Sequence, residues 1–268
     1  MRDKRLIAGL LFVLTLGIIA MAWPLTGYPS LWHWVRDMPT QSESKSAPKF
    51  DRAPMMAELE AAGLALGNEV HLRIYKADMA LEVWMRDAPG TPFRLFKTFD
   101  ICTFSGRAGP KLQEGDHQAP EGFYRVGIPQ LNPDSSRYLS FNLGFPNQYD
   151  RSLGRTGSEL MIHGGCSSVG CYAMTDAGID QIYTMVEAAL RAGQGEVDVH
   201  IFPFRMTGET MAQQSASPWE GYWQNLKEGF DLFEANHVPP AVGTCHGRYV
   251  FGDALDDPAC APITGWRV

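Results

Sequence analysis

The chain is sparing with cysteine, with basic runs and with repetition. Five cysteines in 268 residues are too few to hold together a small disulfide scaffold. No Cys-x-x-Cys pair occurs, so the motif of a zinc knuckle or a thioredoxin-like redox centre is missing. No run of Lys or Arg follows the N-terminal segment, and the net charge is −7, which argues against a nucleic-acid partner. No internal repeat is present. Long apolar runs are confined to the start, which excludes a multi-span membrane protein, and 45% hydrophobic residues with 20% charged excludes general disorder. What remains is one domain of ordinary size plus an appendage.

The one long apolar run comes first. Arg2, Lys4 and Arg5 precede an uncharged stretch over 6–23, the form of an export signal or a single membrane anchor. Ala20-Met21-Ala22 resembles a small-x-small cleavage site, while the run is only just long enough to span a bilayer, so both readings of 1–23 stay open. Either way the body of the protein is exported. Residues 24–67 read as a linker, rich in Ser, Gln, Lys and Pro over 40–49, with a short helix over 55–66 ended by Gly67-Asn68.

From Glu69 the hydrophobic period becomes two. Val70, Leu72 and Ile74 alternate with His71, Arg73 and Tyr75, and Leu81, Val83 and Met85 alternate with Glu82 and Trp84, which predicts a hairpin turning at 76–80. Further strands are predicted at 93–102, 123–128, 140–142, 160–163 and 197–202. Two polar loops, 109–122 and 145–158, interrupt them. A helix is predicted after 176, from Ile179, Ile182, Tyr183, Val186 and Leu190, with Thr175 or Asp176 as cap and Gly193 as stop. In the tail, Ser217-Pro-Trp-Glu220 fits a capping box with Ser217 as N-cap. Trp219, Tyr222, Trp223, Leu226, Phe230 and Phe233 then make an apolar stripe suited to packing on a sheet. The expected fold is mainly β (α+β): a domain over 68–205 and a mostly helical extension over 206–268.

One stretch, 161–176, concentrates the chemistry: Met-Ile-His-Gly-Gly-Cys-Ser-Ser-Val-Gly-Cys-Tyr-Ala-Met-Thr-Asp. Cys171 follows directly on Gly170, so the backbone can turn there and offer N–H groups to an oxyanion. A thiol in such a turn, just before a helix, is placed where the helix dipole favours a thiolate. His163, at the end of a predicted strand, is a candidate to take the thiol proton. Rival readings are a zinc site built from His163, Cys166 and Cys171 with His246, a Cys166–Cys171 redox pair, and two buried structural thiols. The residues alone support a cysteine enzyme and no more.

Ile162-His163-Gly164 followed by Ser168-x-Gly170-Cys171 resembles the signature of the YkuD-type L,D-transpeptidase catalytic domain. Gly109-Pro-Lys-x-Gln-Glu-Gly-Asp, Pro120-Glu-Gly-Phe-Tyr124 and the whole 163–176 stretch are similar to its YafK-like branch. The resemblance implies a YkuD-type β-sandwich or barrel-like domain in the periplasm, acting on peptidoglycan stem peptides with no metal or organic cofactor. It implies that Cys171 attacks a peptide carbonyl and forms a thioester, that His163 partners the thiol, that Ser168 supports it, and that the N–H groups of Gly170 and Cys171 form the oxyanion hole. The acyl acceptor stays open: a stem-peptide amine, a lipoprotein lysine, or water in a hydrolase that releases lipoprotein from the wall. A non-catalytic wall-binding module is the rival from another class, and an uncleaved N-terminal segment would bring contact with the inner membrane.

The family usually carries a basic residue shortly after the cysteine, and Tyr172-Ala173-Met174 supplies none. Lys111, Arg151 and Arg155, in the two polar loops, are therefore the candidates for binding substrate carboxylates. Cys166 is extra to the wider signature and is assigned a structural or bridging role. Cys245 and Cys260, in a Gly/Pro-rich tail, are candidates for a bridge of about 3 kcal/mol.

Overall fold

Alternating apolar residues build the first sheet. In the computed structural model, which describes residues 50–265, β1 (Glu69–Tyr75) and β2 (Ala80–Arg86) form the expected hairpin, in register from Glu69↔Arg86 to Tyr75↔Ala80. The apolar run at 1–23 and the tether up to 49 lie outside the described residues. β3 (Arg94–Asp100) adds to β2, and the chain then leaves this sheet. Where one strand was expected over 93–102, β4 (Thr103–Phe104) belongs to a second sheet. β5 (Gly122–Val126), β6 (Leu131–Asn132), β7 (Ser140–Asn142), β8 (Met161–His163) and β9 (Tyr172–Ala173) follow. β10 (Val197–Phe202) inserts between β1 and β5, parallel to the first and antiparallel to the second. The first sheet has the order β3-β2-β1-β10-β5 and the second β4-β9-β8-β7-β6.

Five α-helices accompany the sheets among the described residues. α1 (Ala53–Ala61) starts and stops a little before the expected 55–66, because Gly63 at φ +67° ends it. α2 (Gln148–Ser152) is a single capped turn inside the second polar loop. α3 (Asp176–Arg191) begins as expected, with Thr175 Oγ1 accepting the Gly178 N–H at 3.0 Å. α4 (Gly208–Gln213) leads to α5 (Glu220–Asn236). Here the capping box is displaced. Trp219, not Ser217, is the N-cap, and the Ser217 hydroxyl takes the Trp219 N–H at 3.2 Å in a turn that precedes the helix. β11 (Val242–Cys245), β12 (Arg248–Phe251) and β13 (Ala261–Pro262) form a small third sheet. The Cys245–Cys260 bridge is formed across it. No described helix is long and apolar enough to cross a membrane.

The first sheet is covered on both faces, which simple alternation does not reveal. Val70, Leu72, Ile74, Val199 and Ile201 join the core shared with α3 and the second sheet. The other face meets α5: Phe123, Phe202, Trp223, Leu226 and Phe230 share a second core, and Arg73 lies 4.3 Å from the Phe233 ring centre. The two layers are pinned together by a fully buried ion pair, Lys76 with Glu121 at 3.1 Å. Lys76 Nζ also donates to the carbonyls of Gly109 and Ala119, and Trp223 Nε1 donates to Glu121 Oε2 at 3.0 Å. The first polar loop is thereby fixed to the sheet and to α5 at once.

Candidate active site

The second sheet is made of strands two or three residues long, and the motif lies at its centre. β8 and β9 run parallel, pairing Ile162 with Tyr172 and His163 with Ala173. Cys171 immediately precedes β9, and continuing the strand's alternation back through it places its side chain on the face shared by Ala173 and its partner His163. Tyr172 points the other way, is fully buried, and its hydroxyl donates to the Pro120 carbonyl at 2.6 Å. The first polar loop is thus tied directly behind the thiol.

Cys171 is the free cysteine among the described residues and is partly exposed. Ser168 closes the turn before it: its Oγ accepts the Cys171 N–H at 2.9 Å and donates to the Cys171 carbonyl at 2.7 Å. Gly170, at φ +109°, completes that turn, and a Cβ there would press on Leu160 at 3.2 Å. Ser105, unmarked in the sequence, donates to Ser168 Oγ at 3.3 Å. This geometry corrects one expectation. The Cys171 N–H is occupied by Ser168, so of the two N–H groups expected to form an oxyanion hole, that of Gly170 is the one without a partner among the described residues.

The electrostatics correct another. Burial raises the Cys171 thiol above its ordinary value, outweighing the Met161 N–H that points at Sγ from 3.5 Å and the charges of Arg137 and Lys111. The thiol is therefore protonated at rest, and its hydrogen goes to the Glu159 carbonyl at 3.5 Å, not to His163. A turn ahead of a helix does not by itself make a thiolate when desolvation is the larger effect. His163 is buried and shifted down, by desolvation first and by Arg137 to a lesser degree. Its Nδ1 faces the Gly164 carbonyl at 2.6 Å, which fixes the proton on Nδ1 and leaves Nε2 as an acceptor. Among the described residues Nε2 has no hydrogen-bond partner. A neutral imidazole with an open Nε2 is the form able to accept a thiol proton.

The remaining candidates have other duties. Cys166, at φ +44°, is bonded to Cys102, with a Cα–Cα distance of 5.2 Å. The bridging role expected of it holds, while the Cys166–Cys171 redox pair and the zinc set that needs Cys166 do not form. Lys111 is buried and bound to Asp116 at 2.5 Å and to the Gln113 carbonyl at 3.0 Å. Arg155 is buried against Tyr149 and Tyr222 and paired with Asp150 at 2.9 Å. Arg151 is exposed and donates to the Pro146 carbonyl. Lys111 and Arg155 therefore hold their loops in shape, and neither presents an unpaired charge. Arg137 does border the site: its guanidinium donates to Ser167 Oγ. The sequence gives no sign of it, since 30 residues and the β7–β8 pairing separate it from Ser167.

A short-stranded sheet that carries one free thiol and a neutral histidine on its central strand pair has the parts that nucleophilic cysteine chemistry requires. Comparison with known proteins agrees and is more specific. Residues 71–239 match the family model of the YkuD L,D-transpeptidase catalytic domain. The Escherichia coli (strain K12) protein named "Putative L,D-transpeptidase YafK" is 44% identical over 197 residues, spanning 74% of this chain and 79% of that one. The same figures hold for its counterpart in Escherichia coli O157:H7. The chain belongs to the YkuD L,D-transpeptidase family. Among solved structures, the helical cell shape determining protein Pgp2 of Campylobacter jejuni is similar over 70% of this chain and 79% of that one, at 18% identity and TM-score 0.40. Bd1075 of Bdellovibrio bacteriovorus is similar over 62% and 58%, at 17% identity and TM-score 0.35.

Proposed function

We propose that the protein is a periplasmic enzyme that transfers the acyl group of peptidoglycan stem peptides through a thioester on Cys171. The observation that supports this is one free, partly exposed thiol at the start of β9, whose neighbour β8 carries a neutral imidazole opposite Ala173. His163 Nε2 takes the thiol proton as Sγ attacks the carbonyl carbon of the L-to-D peptide bond. The oxyanion gathers its charge against the free Gly170 N–H. The C–N bond breaks, the departing amine receives the proton from the imidazolium, and the acyl group stays on sulfur. An acceptor amine then attacks the thioester, gives its proton to His163, and Cys171 leaves as a thiolate that is reprotonated.

Water in place of the amine would make the same site a hydrolase, and a wall-linked lipoprotein is then a candidate substrate. The family membership and the likeness to YafK support the L,D-transpeptidase reading and leave the acceptor open. Incubation of the purified body with free and with lipoprotein-linked sacculi, followed by muropeptide profiling, distinguishes the two. New cross-links identify a transferase, shortened stems or released lipoprotein identify a hydrolase, and unchanged muropeptides overturn the enzyme reading. A wall-binding module would keep its affinity in Cys171→Ala, whereas the enzyme loses its thioester.

A further inference from the structure

Every Lys and Arg side chain among the described residues lies within ion-pair distance of a carboxylate, except Arg107, Arg137 and Arg151. Of these three, Arg137 is the one built against the catalytic turn. It stands in the segment between β6 and β7, where the Leu139 carbonyl accepts the Gly164 N–H at 3.2 Å. A Cβ on Gly164 would come within 2.7 Å of the Arg137 carbonyl, and one on Gly165 would touch its Cδ at 3.8 Å. Two consecutive glycines thus make room for the arginine to lie across the 163–167 turn. Its one side-chain partner is the neutral Ser167 hydroxyl, so most of its five N–H donors remain available to a ligand.

A planar guanidinium with free donors is matched to a carboxylate, which it holds by two parallel hydrogen bonds. The local charge makes such a partner necessary. Glu159 is exposed, forms no ion pair among the described residues, and its own carbonyl receives the Cys171 thiol hydrogen. An anionic substrate approaching Cys171 therefore meets a repelling carboxylate, and Arg137 is the cation placed to outweigh it. Lys111, which also acts on the thiol, is already neutralised by Asp116.

We propose that Arg137 binds a free carboxylate of the acyl donor and sets the scissile carbonyl against Cys171. It would be the specificity residue that neither Lys111 nor Arg155 is free to be. The inference rests on the thioester reading above. Its test uses a stem tetrapeptide with free carboxylates and the same peptide with those carboxylates amidated, following thioester formation on the intact protein by mass spectrometry. The wild-type enzyme should prefer the free acid in kcat/KM by about tenfold to a hundredfold, the range of one charge-assisted contact. Arg137→Gln should erase most of that preference, chiefly by raising KM for the free acid, and Arg137→Lys should restore part of it. Arg191→Gln, on the exposed side of α3, should behave as wild type. Equal rates for both peptides in the wild-type protein would overturn the proposal without any variant. So would an Arg137→Gln enzyme slowed alike on both. If the wild-type protein forms no Cys171 adduct with either peptide, the thioester reading itself fails.

Discussion

The two large sheets divide stability and chemistry between them. The first has strands of five to seven residues, long registers broken once between Val83 and Trp84 where β2 meets β3, and a core on each face. It also buries titratable groups in neutral or paired form, with His71 pushed down to about 3 by desolvation. The second has strands of two or three residues, too short to hold a geometry through ladder hydrogen bonds alone. Its precision comes from attachments: the Cys102–Cys166 bridge, the Ser168 turn, and the Tyr172 hydroxyl on Pro120. The partly exposed thiol is thereby carried on a lightly built sheet, braced from a heavily built one.

Four outcomes would sharpen or break this division, in decreasing size. Cys171→Ala should abolish covalent capture of a stem peptide while leaving the melting temperature close to wild type, since the side chain is partly exposed. A large loss of stability in this variant would mean that the thiol is structural. His163→Ala should lower the acylation rate about a hundredfold to ten-thousandfold, the usual worth of a positioned base. The pH profile carries the sign. Because the folded pKa of His163 is depressed, the imidazole stays neutral on acidification, and activity should fall only as pH drops below about 6.5, the ordinary histidine value. An acid limb centred above that value would place the base elsewhere.

The third outcome concerns the seam. Glu121→Gln leaves the Lys76 ammonium buried without its counter-charge and should cost about 3–5 kcal/mol, read from denaturant unfolding. A change within experimental error would show that the loop is not anchored there. The fourth concerns the brace. Removing Cys102 and Cys166 together opens a link across a sequence separation of 64 residues and should cost about 2–4 kcal/mol, with a fall in acylation rate. The matched pair Cys245→Ser with Cys260→Ser should cost stability without that fall, because its bridge lies in the third sheet. If the two pairs behave alike in rate, the second sheet does not depend on its brace.

The same division explains what could be read from sequence. Period-two alternation gave β1, β2 and β10, and the helical period with Thr175 gave α3, because those elements obey local rules. The Ser-x-Gly-Cys register picked Cys171 over Cys166, and the structure gives Cys166 a disulfide and leaves Cys171 free. What stayed hidden depended on long-range register. Cys102 as the partner of Cys166, Ser105 behind Ser168, and Arg137 across Gly164 and Gly165 are each brought in by strands too short to announce themselves. The state of the thiol was hidden for a different reason. Burial sets it, and burial is a property of the assembled sheets. The displaced start of α5 is a matter of one or two residues, the normal spread of helix ends.

The most direct measurement is peptide mapping after exposure to a carbapenem or a stem tetrapeptide. One added acyl mass is expected on the peptide containing Cys171, formed by the wild-type protein and lost in Cys171→Ala. No adduct on the wild-type protein, or an adduct that persists in Cys171→Ala, would contradict it.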